Sequence, residues 1–398
     1  MSRRPPGPAR TAWAVAALAA AALAVAAAAA PEPAAPGVRP PPGSDEDELW
    51  YAMEQAERDL RQHPLLVRDE ALNAYVRGVA CRVAADYCAD LRVYIVEQPW
   101  FNASMAPNGM MMVWTGALLR FQDESELALV LGHEFAHFRL RHSLQRWRNT
   151  KRTTAFLNSF GLVAWAGGAG AAGQVAGLLG AAGLYQHSRE AEREADRAGF
   201  AAAVAEGYDP LAGARLWQRM KAEEDARRYG KPIPVFATHP RTAERLADVL
   251  AAGRATAPDG WHGDPGRKAY LAAVRPHLAA WLEDELGRRM YDSSVQVIGD
   301  LHALAPPDLE ATYGFYLAEA LRRRNEPGDL ARAEALYEAV LALPGPPADA
   351  WREWGLVLRE RGERAAAADA LRRYLAQRPE ADDAAFIRHY LDELEVRP

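Results

Sequence analysis

Apolar residues return at helical spacing between residues 44 and 80, first as Leu49, Met53, Ala56 and Leu60 and then as Leu72, Tyr75 and Val79. The period then changes. Leu91–Val96 alternates with β-branched residues and predicts a strand, and Phe101–Met105 predicts a second, shorter extended run. Pro107-Asn108-Gly109 predicts a hairpin turn, because Asn and Gly both tolerate positive φ, with Met110–Trp114 as the returning strand. The three consecutive methionines there read as packing rather than metal binding.

A helix is predicted from Asp123, which can cap it with Glu126 completing a capping box, through Leu127, Val130, Leu131, His133, Glu134 and His137 to about Arg146. Further helices are predicted at 188–206, ending at Gly207, and near 211–229 and 242–253. From Trp351 onward the chain places Trp354, Gly355, Leu358, Gly362, Ala367, Leu371, Tyr374 and Pro379 at the large and small positions of a 34-residue tetratricopeptide unit. A weaker copy runs through Tyr316, Ala320, Ala333, Tyr337 and Pro344, and a degenerate half-unit covers 293–306.

These patterns divide the chain. Arg3, Arg4 and Arg10 precede 20 uncharged residues, 11–30, dominated by alanine. Residues 1–30 therefore read as a signal peptide, with an uncleaved anchor as the alternative. The expected order after it is a Pro/Ala linker at 31–43 without fixed structure, a catalytic domain at 44–253, a linker at 254–267 and an all-helical repeat domain at 268–398. Residues 161–184 carry eight glycines and no charge, which makes a poor membrane span. They read as a small-residue hairpin beside the active site that can touch a membrane peripherally.

Composition is that of an ordinary globular protein, 49% hydrophobic and 25% charged, and the formal net charge of −6 gives no footprint for nucleic acid. The two cysteines, Cys81 and Cys88, meet an oxidising compartment if the chain is exported. On one straight helix they would stand ~10 Å apart along the axis, too far to bond. A disulfide therefore requires the helix to break, and Asp86–Asp90 can break it; the alternative is two buried thiols.

The chemistry lies in His133-Glu134-Phe135-Ala136-His137. Spacing of four puts both imidazoles on one helix face, one turn apart, where each can give a nitrogen to one Zn2+ per chain. Glu134 sits beside the metal and can take a proton from water. A third ligand is needed, and Ser143 stands where a metzincin would have a histidine. His142, five residues after His137, does not share the ligand face of a continuous helix. Among the glutamates of 188–196, Glu192 lies on one face with Ser188, Ala195, Asp196 and Gly199, small residues that permit close packing on the zinc helix. Glu192 is therefore expected as the ligand and Asp196 as the acceptor that orients a ligand histidine. Glu190 and Glu194 are expected to point away and pair with Arg193 and Arg197.

The motif, the Ser-Arg-x-x-Glu-x-Glu-Ala-Asp run and the Asn102-Ala103, Pro107-Asn108-Gly109 and Gly116 stretch together resemble the gluzincin family of HtpX, the CAAX prenyl protease and the mitochondrial Oma protease. The exported start and repeat tail resemble its periplasmic, BepA-like branch. The resemblance implies a mainly α fold, a zincin-like domain with a small β-sheet or hairpin followed by helical repeats. It also implies that Asn102, Ala103, Ser104 and Met105 form the edge strand to which substrate adds as an extra strand. His239 would be a fourth or regulatory ligand, and Arg245 would stabilise the tetrahedral oxyanion.

The function expected is a zinc endopeptidase acting on misfolded or stalled outer-membrane proteins in the periplasm, with envelope assembly proteins held on the repeats. The alternative is a periplasmic chaperone or assembly factor with a latent peptidase site.

Overall fold

A computed structural model of the protein describes residues 32–151, 187–228, 239 and 243–395. The expected signal or anchor at 1–30 and the glycine-rich stretch at 161–184 lie outside the described residues. Among the described residues, no helix is long and apolar enough to cross a membrane.

The architecture is mainly α with one three-stranded sheet. Helix α1 (Asp45–Gln62) starts where Ser44 accepts a hydrogen bond from the Asp47 N–H, and four acidic residues in its first turn complement the helix dipole. It buries Leu49, Met53 and Leu60, and Glu57 on the same stripe. Helix α2 (Glu70–Ala84) is capped by Asp69. It ends where Ala85 turns to φ 50°, and a 3-10 turn (Ala85–Asp90) follows. This break brings the Cα atoms of Cys81 and Cys88 to 4.6 Å, and the two are joined in a disulfide.

Strands β1 (Arg92–Val96), β2 (Ala103–Met105) and β3 (Met110–Trp114) form a sheet of order β1-β3-β2, with β1 parallel and β2 antiparallel to the central β3. Positive φ in the turn falls on Gly109 alone, not on Asn108 as well. A Cβ at Gly109 would lie 2.2 Å from the Asp90 carbonyl oxygen, so this position admits only glycine. Both faces of β3 are buried. Met111 and Val113 join the main core, and Met110, Met112 and Trp114 pack on α1, so the three methionines are packing residues.

Helices α3 (Thr115–Arg120) and α4 (Glu124–Arg139) follow. Asp123 caps α4 as expected, but Glu126 accepts from the Gln122 N–H rather than from the cap residue itself. Helix α4 does not reach Arg146. Arg141 adopts φ 56° and a separate helix, α5 (His142–Lys151), begins in a new direction. Ser188 caps α6 (Arg189–Ala205), and α7 (Ala212–Ala226) and α8 (Ala243–Thr256) complete this half.

Residues 32–43 are not a free tether. The Ala34 N–H donates to the Arg139 carbonyl (2.8 Å), Ala34 accepts from the Tyr87 hydroxyl, and the Gly37 N–H donates to Asp90. These backbone contacts hold a Pro-rich segment that buries little apolar surface of its own.

The C-terminal region is all-helical: α9 (Arg267–Val274), α10 (Leu278–Gly287), α11 (Tyr291–Ala303), α12 (Glu310–Arg324), α13 (Asp329–Ala342), α14 (Ala348–Glu360), α15 (Arg364–Gln377) and α16 (Ala384–Glu395). Short loops join helices that pack in pairs through small residues: Gly314 faces Val340 and Gly355 faces Leu371, each so close that a Cβ would clash. One apolar core runs from Leu72 to Ala350, across the stretch at 254–267. Buried Arg120 of α3 ties the halves together, bonding Glu223 of α7 (2.7 Å) and Glu285 of α10 (2.9 Å).

Candidate metal centre

Helix α6 crosses α4 where Gly199 meets Gly132. A Cβ on Gly199 would lie 2.5 Å from the His133 backbone nitrogen, so this crossing requires glycine. The close approach delivers Glu192, fully buried, to the two motif histidines. His133 Nε2 and His137 Nε2 are 3.0 Å apart, and the Glu192 carboxylate lies 3.6 Å from the first and 3.5 Å from the second. His239 enters the same cluster, with Nδ1 3.4 Å from His133 Nε2 and 3.1 Å from Glu192. One donor atom from each of His133, His137, Glu192 and His239 falls within 4.8 Å of all the others.

This donor set fits zinc. Four ligands at ~2.0–2.1 Å in a tetrahedron stand roughly 3.3 Å apart, and the measured separations bracket that value. Imidazoles with one carboxylate are the ligand types a catalytic zinc takes.

The supporting shell is built from charges. Asp196 lies 3.0 Å from Nδ1 of His133, so it accepts that N–H and leaves Nε2 facing the cluster. Arg245 forks the two Asp196 oxygens at 2.7 and 2.8 Å and reaches Glu192 with Nη1 at 2.8 Å. The guanidinium of Arg245 is thus engaged on both carboxylates. Burial pushes the Glu192 carboxyl up, but His239, His133 and Arg245 outweigh it and hold it below the usual range. Asp196 is held well below that range against its burial by Arg245 and His133. Burial dominates at Glu134 and raises its carboxyl, which favours proton exchange, while His239 and His133 oppose the shift. Burial and the neighbouring imidazoles hold His137 far below its ordinary value, as an uncharged ring.

Three contributors went unseen in the sequence. The break at Arg141 swings His142 back onto His137, with the two Nδ1 atoms 2.8 Å apart. Glu194, expected to pair with arginine, instead lies 3.2 Å from His142 Nε2. His187 stacks flat on the His137 ring, with centroids 3.8 Å apart and planes at 14°. A cluster of histidines around the motif was the available signal, but only the kink at Arg141 gives it meaning.

An apolar cleft opens beside Glu134 and His133, walled by Leu129, Val130, Phe200, Leu216, Trp217 and Met220. Strand β2 is the edge of its sheet, and its three residues are buried. Trp114 N–H donates to the Asn102 carbonyl and Ala106 N–H to the Met110 carbonyl. The alternation of an antiparallel ladder then turns the N–H and C=O groups of Ala103 and Met105 away from β3.

The sequence profile of peptidase family M48 matches residues 66–252. The chain is 30% identical over 238 residues to the beta-barrel assembly-enhancing protease of Yersinia pestis, covering 57% of this chain and 48% of that protein. It is 32% identical over 181 residues to the mitochondrial metalloendopeptidase OMA1 of Schizosaccharomyces pombe, covering 44% and 51%. It is 28% identical over 202 residues to the beta-barrel assembly-enhancing protease of Escherichia coli strain K12, covering 48% and 41%. The chain thus spans about half the length of the curated relatives it matches. The match to peptidase family M48 thus falls on the segment that holds the buried donor set suited to zinc.

Proposed function

We propose that the chain is an exported zinc endopeptidase that cuts misfolded or stalled outer-membrane proteins in the periplasm. The observation that carries this is the convergence of His133, His137 and Glu192 next to a buried Glu134 that faces an open apolar cleft. Two of the relatives are named as beta-barrel assembly-enhancing proteases, which supports the substrate class.

Zinc bound by His133, His137 and Glu192 supplies Lewis acidity to a peptide carbonyl and to water. The chain supplies the rest. An extended peptide added alongside β2 pairs with the backbone of Ala103 and Met105 once that buried edge is uncovered. Glu134 takes the proton from the attacking water and returns it to the leaving amine, a role worth roughly 10²–10⁴-fold in rate. Asp196 holds the His133 tautomer, and Arg245 holds Asp196 and Glu192. The cleft seats a bulky apolar side chain next to the scissile bond, of the kind a folded protein keeps inside. The paired helices after residue 267 act as tetratricopeptide-like repeats that present envelope or outer-membrane assembly proteins to the site.

A second reading rests on His239. Its position among the ligands supports a latent form in which this residue fills the coordination place a substrate needs, with the chain acting as a chaperone through its repeats.

Glu134→Gln tests both. The full chain is incubated with casein and with an unfolded outer-membrane barrel, and the variant is returned to cells lacking the protein. Loss of cleavage together with loss of the cellular role supports the peptidase. Loss of cleavage with the cellular role intact supports the latent reading, and cleavage that survives in Glu134→Gln defeats the assignment of the base.

A further inference from the structure

The two motif histidines are oriented by different devices. His133 meets a carboxylate directly, at Asp196. The Nδ1 of His137 meets none; it lies 2.8 Å from Nδ1 of His142, and His142 Nε2 lies 3.2 Å from a Glu194 oxygen. His142 is only 2% exposed, so neither of its nitrogens exchanges freely with water.

The protons on this row can be counted. A carboxylate only accepts, so His142 carries its proton on Nε2, toward Glu194. An uncharged His142 then has a lone pair on Nδ1, and the short contact to His137 requires a proton on His137 Nδ1. That leaves the His137 Nε2 lone pair pointing at His133 Nε2 and Glu192, 3.0 and 3.5 Å away. The opposite arrangement would set the His142 Nε2 lone pair against the lone pairs of the carboxylate. With His142 uncharged, this order satisfies both contacts of its ring, and it is the one in which His137 can ligate.

We propose that His142 and Glu194 form a positioning pair that fixes His137 in its metal-ligating tautomer, with His142 interposed where His133 has a carboxylate of its own. The inference rests on the zinc site described above, though not on peptide hydrolysis. Its geometry depends on the left-handed turn at Arg141, since five residues along an unbroken helix would carry His142 away from His137.

The test uses the full chain and zinc alone. Long-range proton–nitrogen spectra of metal-free protein labelled at histidine nitrogen distinguish Nδ1–H from Nε2–H rings, with His137→Gln assigning the signal. Zinc affinity is measured by competition with a chromophoric chelator for wild type, His142→Phe, His142→Asn and Glu194→Ala. His142→Phe keeps a ring and removes the acceptor; His142→Asn keeps an acceptor near the place of Nδ1. The expected result is a Nδ1–H tautomer for His137 in the wild type, zinc affinity lowered about 10–100-fold in His142→Phe, and recovery to within roughly threefold of wild type in His142→Asn. An Nε2–H tautomer in the wild type, or a His142→Phe protein that binds zinc as tightly as wild type, overturns the proposal. Should His142→Phe fail to fold, the wild-type spectrum and Glu194→Ala decide. Glu194 sits at the exposed edge of its helix, and the pair predicts a mixed His137 tautomer and weaker zinc binding there, whereas unchanged values overturn it. Casein cleavage is recorded in parallel: a wild type with this tautomer and zinc affinity that cuts nothing defeats the peptidase reading and leaves the positioning pair supported.

Discussion

Nη1 of Arg245 lies 2.8 Å from Oε2 of Glu192, while the other edge of the same guanidinium forks both oxygens of Asp196. One buried cation thus spans the expected zinc ligand and the carboxylate that orients His133. The face of the guanidinium lies over Trp217, 5.3 Å from the ring centroid, so the brace is held from three sides.

Removing that cation takes their shared counter-charge from two buried carboxylates. Arg245→Met is expected to cost about 3–5 kcal/mol of stability in the metal-free protein, read as a lowered thermal unfolding midpoint. Arg245→Lys should recover only part of the loss, because a single ammonium cannot fork Asp196 and reach Glu192 together. Equal midpoints for Arg245→Met and wild type would show that the brace is dispensable.

Gly213 lines the cleft from α7, and a Cβ there would make ordinary contacts with Leu129 (3.5 Å) and Val249 (3.6 Å). Gly213→Ala therefore fits the fold and removes a glycine from the first turn of α7, a change worth up to roughly 1 kcal/mol of added stability through the unfolded chain. The same methyl narrows the cleft. Cleavage of a peptide series differing at the residue beside the scissile bond should shift away from Trp and Phe toward Leu and Val, with kcat/KM for the largest side chains down about tenfold. An unchanged ranking would mean that substrate does not use this cleft.

What could be read beforehand follows from how local each signal is. His133 and His137 are separated by one helical turn, so their shared face needs no tertiary knowledge. Glu192 stands out from the three glutamates because Ala195 and Gly199 share its face, and the structure sets that face against Gly132. His142 falls off the ligand face on the premise of an unbroken helix. The premise fails at Arg141, a left-handed residue with no glycine to mark it. Glu194 could not be matched to His142 without that kink. The partners of Arg245, Asp196 and Glu192, lie 49 and 53 residues back in the chain and depend on how α8 docks on α6. The parallel pairing of β1 with β3 was likewise hidden, since the hairpin turn specifies only the β2–β3 register.

Glu57 links α1 to the sheet, accepting from Arg92 (2.6 Å), Tyr94 (2.7 Å), Arg61 (2.9 Å) and Asn108 (3.0 Å). Burial raises its carboxyl, but the bonds from Arg92, Tyr94 and Arg61 prevail and lower it from 4.5 to about 2. An acid depressed on folding contributes stability that is fully present above its unfolded value and is lost as pH falls through its folded one. The window therefore runs from about 4.5 down to about 2, with a contribution on the order of 2 kcal/mol at neutral pH. Glu57→Gln should be less stable near pH 7 and should lose part of the acid dependence in that window. Parallel stability curves for the two proteins would refute the assignment.

The central claim is that two helices bring His133, His137 and Glu192 onto one zinc ion that Glu134 serves without holding. Metal content of the purified full chain, measured by atomic emission after exhaustive dialysis, tests it most directly. The account predicts one zinc per chain in the wild type and in Glu134→Gln, and almost none in His137→Ala and Glu192→Ala. Zinc retained at full stoichiometry in Glu192→Ala, or absent from the wild type, would contradict it.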